Sequence, residues 1–177
     1  SEVEDLLRKL KEISDESRER IKRLLEELEE ISRKSKEDSE RSNEELHRIV
    51  KRLKEENRDE AVERVKDALR RVLERDRELV ERSIRVLKKV VDDVRRIVEE
   101  SVKRLRDVVR KVRRDVEREE DLRRAEDDVR RLIEDNKRLL EEAKRRVDDL
   151  RRKNEEILRE SEKNVRRIEK ELEDRRR

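Results

Sequence analysis

The chain is 177 residues long, contains no Gly, Pro, Cys, Met, Phe, Trp or Tyr, and is 62% charged against 29% apolar, with a net charge of +3. Average domains hold about 25% charged and 45–50% apolar residues, so the composition excludes an ordinary mixed fold, a disulfide scaffold and any cysteine-based chemistry. The 56 basic and 53 acidic residues alternate along the whole chain, which excludes the concentrated positive face of a nucleic-acid binder, and no aromatic ring can stack on a base.

Few apolar residues among many charges would suit a disordered chain, but their order argues for helices. In the first predicted helix, residues 2–57, the apolar or small polar positions are 3, 6, 7, 10, 13, 14 and 17. The same set recurs 18 residues later, from 21 to 35, and again from 39 to 53, and every member is Leu, Ile, Val, Ser or Asn. In the second helix, 60–118, Val62, Val65, Leu69, Val72 and Leu73 recur as Val80, Ser83, Leu87, Val90 and Val91. In the third, 121–175, Leu122, Ala125, Val129, Leu132 and Asn136 recur as Leu140, Ala143, Val147, Leu150 and Asn154.

Eighteen residues make five turns at 3.6 residues per turn, so the stripe stays on one side of a nearly straight helix. A strict heptad would instead impose a left-handed supercoil and an eleven-residue repeat a right-handed one. The stripe spans an arc of roughly 120°, wide enough for two neighbours. Outside it, Glu4–Arg8, Asp5–Lys9, Glu16–Arg20 and Glu30–Lys34 are spaced as acid-then-base pairs, each contributing a few tenths of a kcal/mol. Without Gly or Pro the breaks must be found elsewhere. Asn57 offers a C-terminal residue and Asp59 an N-cap for the first turn, and Asp121 an N-cap after the second.

Polar residues inside the stripes fix how the helices align. Facing residues of an antiparallel hairpin have numbers with a constant total. On the middle helix Ser101, Ser83 and Asp76 lie on the inner face. Pairing Ser14 and Ser17 with Ser101, Ser32 and Ser35 with Ser83, and Ser39 and Ser42 with Asp76 repeats the same two totals. Ser101 with Asn136, Ser83 with Asn154 and Asp76 with Ser161 share a third. Half of each total falls near residue 58 or 118, where the turns are expected. The fold expected is all-α: an antiparallel up-down-up three-helix bundle, one elongated domain over 1–177 with an 18-residue repeat. Three matched polar layers are satisfied together in one register, which discriminates against slipped packings.

At this point the chain resembles de novo designed helical bundles with buried hydrogen-bond networks. The likeness covers its whole length and rests on the repeat, the missing residue types and the aligned Ser, Asn and Asp layers. It implies a scaffold or assembly part with no evolved activity, no enzyme chemistry and no cofactor, made by recombinant cytoplasmic expression as a soluble chain. Glycine, common at the loops of such proteins, is missing here.

His47 is the single histidine. With no second His and no Cys it has no partner for a metal or catalytic site, and it reads as part of a contact of Asn43, His47 and Asn164 at the seam of the first and third helices. Asp76 reads as the acceptor for Ser39, Ser42 and Ser161 rather than as a general acid or base, since no residues suggest a pocket around it. No apolar run approaches the ~20 residues of a membrane helix, Ser1-Glu2-Val3-Glu4 is no signal segment, and Arg175-Arg176-Arg177 follows acids at 171, 173 and 174. Neither nucleic acid nor a membrane is therefore expected as a partner, and none is required: the expected state is a monomer. The alternative is an interaction module, a homo-oligomer subunit or a switch pairing with a partner helix. It rests on the middle helix, which carries 23 apolar residues against 14 and 15 in the others, with Ala68, Ile84, Val86 and Val102 widening its stripe.

Overall fold

The computed structural model describes residues 2–55 and 59–176, with side chains for 3–55 and 61–174. The described residues form α1 (Glu2–Glu55), α2 (Asp59–Asp115) and α3 (Glu119–Arg176), with no strand among them. The fold is a three-helix bundle, as the periodicity requires. Each helix runs without interruption for 54, 57 and 58 residues respectively. Their length follows from composition: Leu, Glu, Lys and Arg are strong helix formers and no residue breaks the run.

The ends differ from the sequence expectation by a few residues. The first expected turn, with the expected role of Asn57, lies outside the described residues. The second helix stops at Asp115 rather than 118, and the third begins at Glu119 rather than 121. The Val116 N–H still donates to the Val112 carbonyl at 2.9 Å, and the Leu122 N–H donates to the Arg118 carbonyl at 3.3 Å. Arg118 thus occupies the N-cap position, and Asp121 lies inside the first turn with Glu119 and Glu120. Three acids there complement the positive end of the helix dipole, which stabilises the start without a capping side chain. No described residue has positive φ, so Val116, Glu117 and Arg118 reverse the chain without the left-handed geometry that would demand glycine.

By its contacts the chain divides into two compact units, Ser1–Leu28 with Lys88–Val147 and Glu29–Leu87 with Asp148–Arg177. Each contains a stretch of every helix. In the first, Leu10 and Ile13 from α1 meet Leu105, Val108 and Val112 from α2 and Ala125 and Val129 from α3. In the second, Leu46 and Leu53 pack with Val62, Val65, Leu69 and Val72 and with Val165, Ile168 and Leu172. These cores hold only aliphatic side chains, so close packing rests on branched Leu, Val and Ile shapes.

Surface ion pairs select partners that the linear spacing does not reveal. Glu16 and Arg20 do not pair with each other. Arg104 reaches Glu16 at 3.1 Å and Arg20 reaches Glu100 at 3.5 Å, both between α1 and α2. In the second unit Arg75 pairs with Glu45, and these three pairs share one residue-number total. Between α2 and α3, Arg113–Glu126, Arg77–Glu162 and Lys66–Glu173 share another. Glu30 turns to Arg33 instead of Lys34, and that guanidinium holds its carboxyl below the usual carboxylate range. The pairs between helices are largely exposed, so each contributes at most ~1 kcal/mol; together they repeat the helix register.

Leu69 and Leu105 have no exposed surface, whereas Val86 is 46% exposed. Leu69→Ala or Leu105→Ala should each lower unfolding free energy by ~2–5 kcal/mol, and Val86→Ala should change it by less than ~0.5 kcal/mol. Urea unfolding followed by circular dichroism measures all three; equal effects would mean that burial is not as described.

Candidate functional site

Polar side chains enter the interior in both units, and each group of them is satisfied differently. In the first unit, the Ser17 hydroxyl donates to Asn136 Oδ1 at 3.0 Å. Asn136 Nδ2 donates to Ser101 Oγ at 3.1 Å, and the Ser101 hydroxyl donates to Ser17 Oγ at 3.3 Å. The result is a closed ring of three hydrogen bonds, one residue from each helix, all buried. Every member donates once and accepts once around the ring, a pattern in which neighbouring bonds polarise and strengthen one another.

Ser14 was expected in this layer and takes no side-chain part in it. Its hydroxyl is buried without a partner, while its carbonyl accepts an alternative bond from the Ser17 hydroxyl at 2.9 Å. A single hydroxyl proton serves either Asn136 or that carbonyl, so the ring and the local bond compete for Ser17.

In the second unit, the Ser35 and Ser83 hydroxyls lie 3.3 Å apart and joined by a hydrogen bond. Asn154, expected in the same layer, is only 4% exposed, yet its carboxamide enters none of the described hydrogen bonds. Farther along, Asp76 is 7% exposed. Ser42 donates to Asp76 Oδ1 and Ser161 donates to Asp76 Oδ2 at 2.6 Å, so each carboxylate oxygen is held from a different helix. Short hydroxyl–carboxylate bonds are the charge-assisted kind, stronger than bonds between neutral groups. Ser32 and Ser39 stand half-buried beside these layers. Asn43 and His47 are exposed and Asn164 is half-buried, and none of the described hydrogen bonds joins the three.

The sequence suggested no pocket around Asp76, but there is one. A partly open cavity of about 540 Å³ lies between α1 and α3 in the second unit, with Asp76 in its wall. Its cause is a volume deficit. Moving 18 residues on from Ile21 and Leu24 gives Ser39 and Ser42, and the preceding inward positions, 32 and 35, are also serine. Four small hydroxyls replace the bulk that Leu or Ile supplies elsewhere, and opposite them stand Leu150, Asn154, Ile157 and Ser161. The signal was present in the repeat as a run of small residues, although their hydrogen-bonding role drew attention away from their size. Among the described residues no group of three or more His, Asp or Glu side chains is placed to hold a metal ion, and no helix is long and apolar enough to cross a membrane.

No family model matches the chain, and no curated protein is similar to it. Among solved structures it is similar to one described as a computationally designed three helix bundle, at 15% identity and a TM-score of 0.44, covering 98% of this chain and 87% of that one.

The ring separates Ser14 from Ser17. Removing an unpartnered buried hydroxyl relieves a desolvation cost, so Ser14→Ala should stabilise by ~1 kcal/mol. Ser17→Ala opens the ring and should destabilise by ~1–3 kcal/mol. Chemical denaturation of the two variants decides: a loss on Ser14→Ala as large as on Ser17→Ala would show that both hydroxyls are bonded.

Proposed function

We propose that the chain is a designed structural scaffold with no evolved activity, in which polar layers specify the register of three helices. The ring of Ser17, Ser101 and Asn136 carries this reading. A hydroxyl or carboxamide buried without a partner costs roughly 1–3 kcal/mol. Sliding one helix by a single seven-residue step would break the two ring bonds that this helix makes and bring Leu, Val or Ala to the height of the remaining polar residues. Such groups act against wrong packings more than they add to the right one, since a well-packed apolar layer of the same volume is equally stable or more so. The absence of aromatic, cysteine and paired histidine chemistry agrees with a part made for its shape and not for catalysis.

Replacing the first layer as a unit, with Ser14→Ala, Ser17→Val, Ser101→Val and Asn136→Leu together, should leave the thermal midpoint unchanged or higher. Asn136→Leu alone should lower it, softened where the serines return to a helix carbonyl one turn earlier. Register is read by crosslinking cysteines at 20 and 100, the sites of an observed ion pair, against cysteines at 20 and 107, seven residues out of step. With a short bismaleimide the parent should link only the first pair, and the layer-replaced protein both. A parent that links both pairs equally would refute a register role.

The scaffold reading includes a monomeric state. The two widened edges of α2 leave Ala68 half-buried with Val86 exposed on one and Ile84 and Val102 half-buried on the other, which is little apolar surface for a stable interface. Light scattering should give a molar mass near 21.9 kDa at every concentration. A constant dimer or trimer mass would replace the scaffold with the interaction module, using the wide apolar face of α2 for a second copy or a partner helix.

A further inference from the structure

We propose that the cavity beside Asp76 is a binding site for a small organic cation, with an alkylguanidinium the class whose chemistry fits it. At about 540 Å³ it falls within the range of small-molecule pockets. Two buried groups in its wall lack what a ligand would bring. Asp76 is 7% exposed, and its described partners are hydroxyls alone, with no Lys or Arg paired to it. Each of its oxygens accepts one bond and retains a second acceptor site. Asn154 is 4% exposed and lines the same cavity with its carboxamide unpaired.

The surrounding charge has the sign that attracts a cation. Glu40, Glu156 and Glu160 line the cavity with Asp76, against Lys36 and Lys153, leaving acids in excess. An anion would meet the Asp76 carboxylate directly. A neutral polyol could use the hydroxyls but would leave the buried charge uncompensated. A divalent metal needs six or more oxygen ligands, several of them charged, whereas Asp76 is the one buried carboxylate in the wall. A guanidinium is a planar donor with no acceptor, and it loses less hydration than an ammonium on burial. Its N–H groups match the free acceptor sites of Asp76, the Asn154 carbonyl and the serine oxygens. The apolar side chains of Leu150 and Ile157 give an alkyl stem a surface to lie on.

The test titrates the full-length protein with butylguanidinium and, separately, with its neutral isostere butylurea, following amide signals by two-dimensional NMR. Saturable shifts should concentrate at residues 32–43, 76 and 150–161 and spare Asn136 in the other unit. Butylurea should bind at least about tenfold more weakly, as expected for loss of one charge-assisted contact. Asp76→Asn should weaken butylguanidinium by a similar factor, and Val86→Ala, at an exposed position outside the cavity lining, should leave its affinity unchanged, with circular dichroism confirming that both variants are helical. Equal affinity for the two compounds, shifts spread over the surface carboxylates, or no saturation by about 10 mM would each overturn the site. Should Asp76→Asn fail to fold, the comparison of the two compounds on the parent and the map of shifted residues decide alone.

Discussion

A polar group taken out of water must find a partner inside, and the arrangement of these helices turns on that requirement. An aliphatic stripe is indifferent to small shifts along the axis, because Leu packs against Val nearly as well one turn away. The ring of Ser17, Ser101 and Asn136 is not indifferent. Its three bonds, 3.0, 3.1 and 3.3 Å long, come from three different helices and close only when all three residues share one height. The interhelical ion pairs follow the same alignment, with Arg104 on Glu16 and Arg113 on Glu126. Exposed pairs of this kind contribute little energy; in the proposed reading the buried ring has the larger part in discriminating between registers.

Specificity of this sort has a packing cost. Serine supplies a hydroxyl by giving up the volume of a leucine, and α1 makes that exchange four times between 32 and 42. Where the partners are close, as for Ser42 and Ser161 on Asp76, the hydroxyls are used. Where they are not, space remains, and the cavity beside Asn154 is that remainder. Ser14 illustrates the opposite failure: its hydroxyl is buried and still lacks a partner. Interiors built from Leu, Val, Ile and Ala in well-defined rotamers tolerate such local losses, because the aliphatic layers on either side are closely filled.

Charge and chain reversal are handled with equally few residue types. The turn at 116–118 needs no glycine because no described residue enters the left-handed region. The first turn of α3 carries Glu119, Glu120 and Asp121, whose negative charge compensates unpaired N–H groups that a capping side chain would otherwise bind. The sequence rule for acid-then-base pairs at four residues identified exposed positions correctly but chose the wrong partners for Glu16 and Arg20. Long arginine side chains reach a neighbouring helix as readily as the next turn of their own, and spacing along one chain cannot express that competition.

From the residues alone, the helical class, the number of helices, the neighbourhood of the second turn and the alignment of Ser17 with Ser101 and Asn136 were all legible. Each is a property of periodicity, and periodicity is a one-dimensional quantity: a stripe repeating every five turns needs a helix, and polar interruptions with constant totals need one register. Which hydroxyl would be used was decided only in three dimensions. Ser14 and Ser17 lie one turn apart on the same face, and the position of Asn136 across the interface chose between them. The same holds for Asp76, whose two oxygens are divided between α1 and α3, for Asn154, which lines the cavity, and for the cavity itself. Distances, volumes and the sharing of a single proton depend on how three surfaces meet, and no pattern within one strand of residues contains that information.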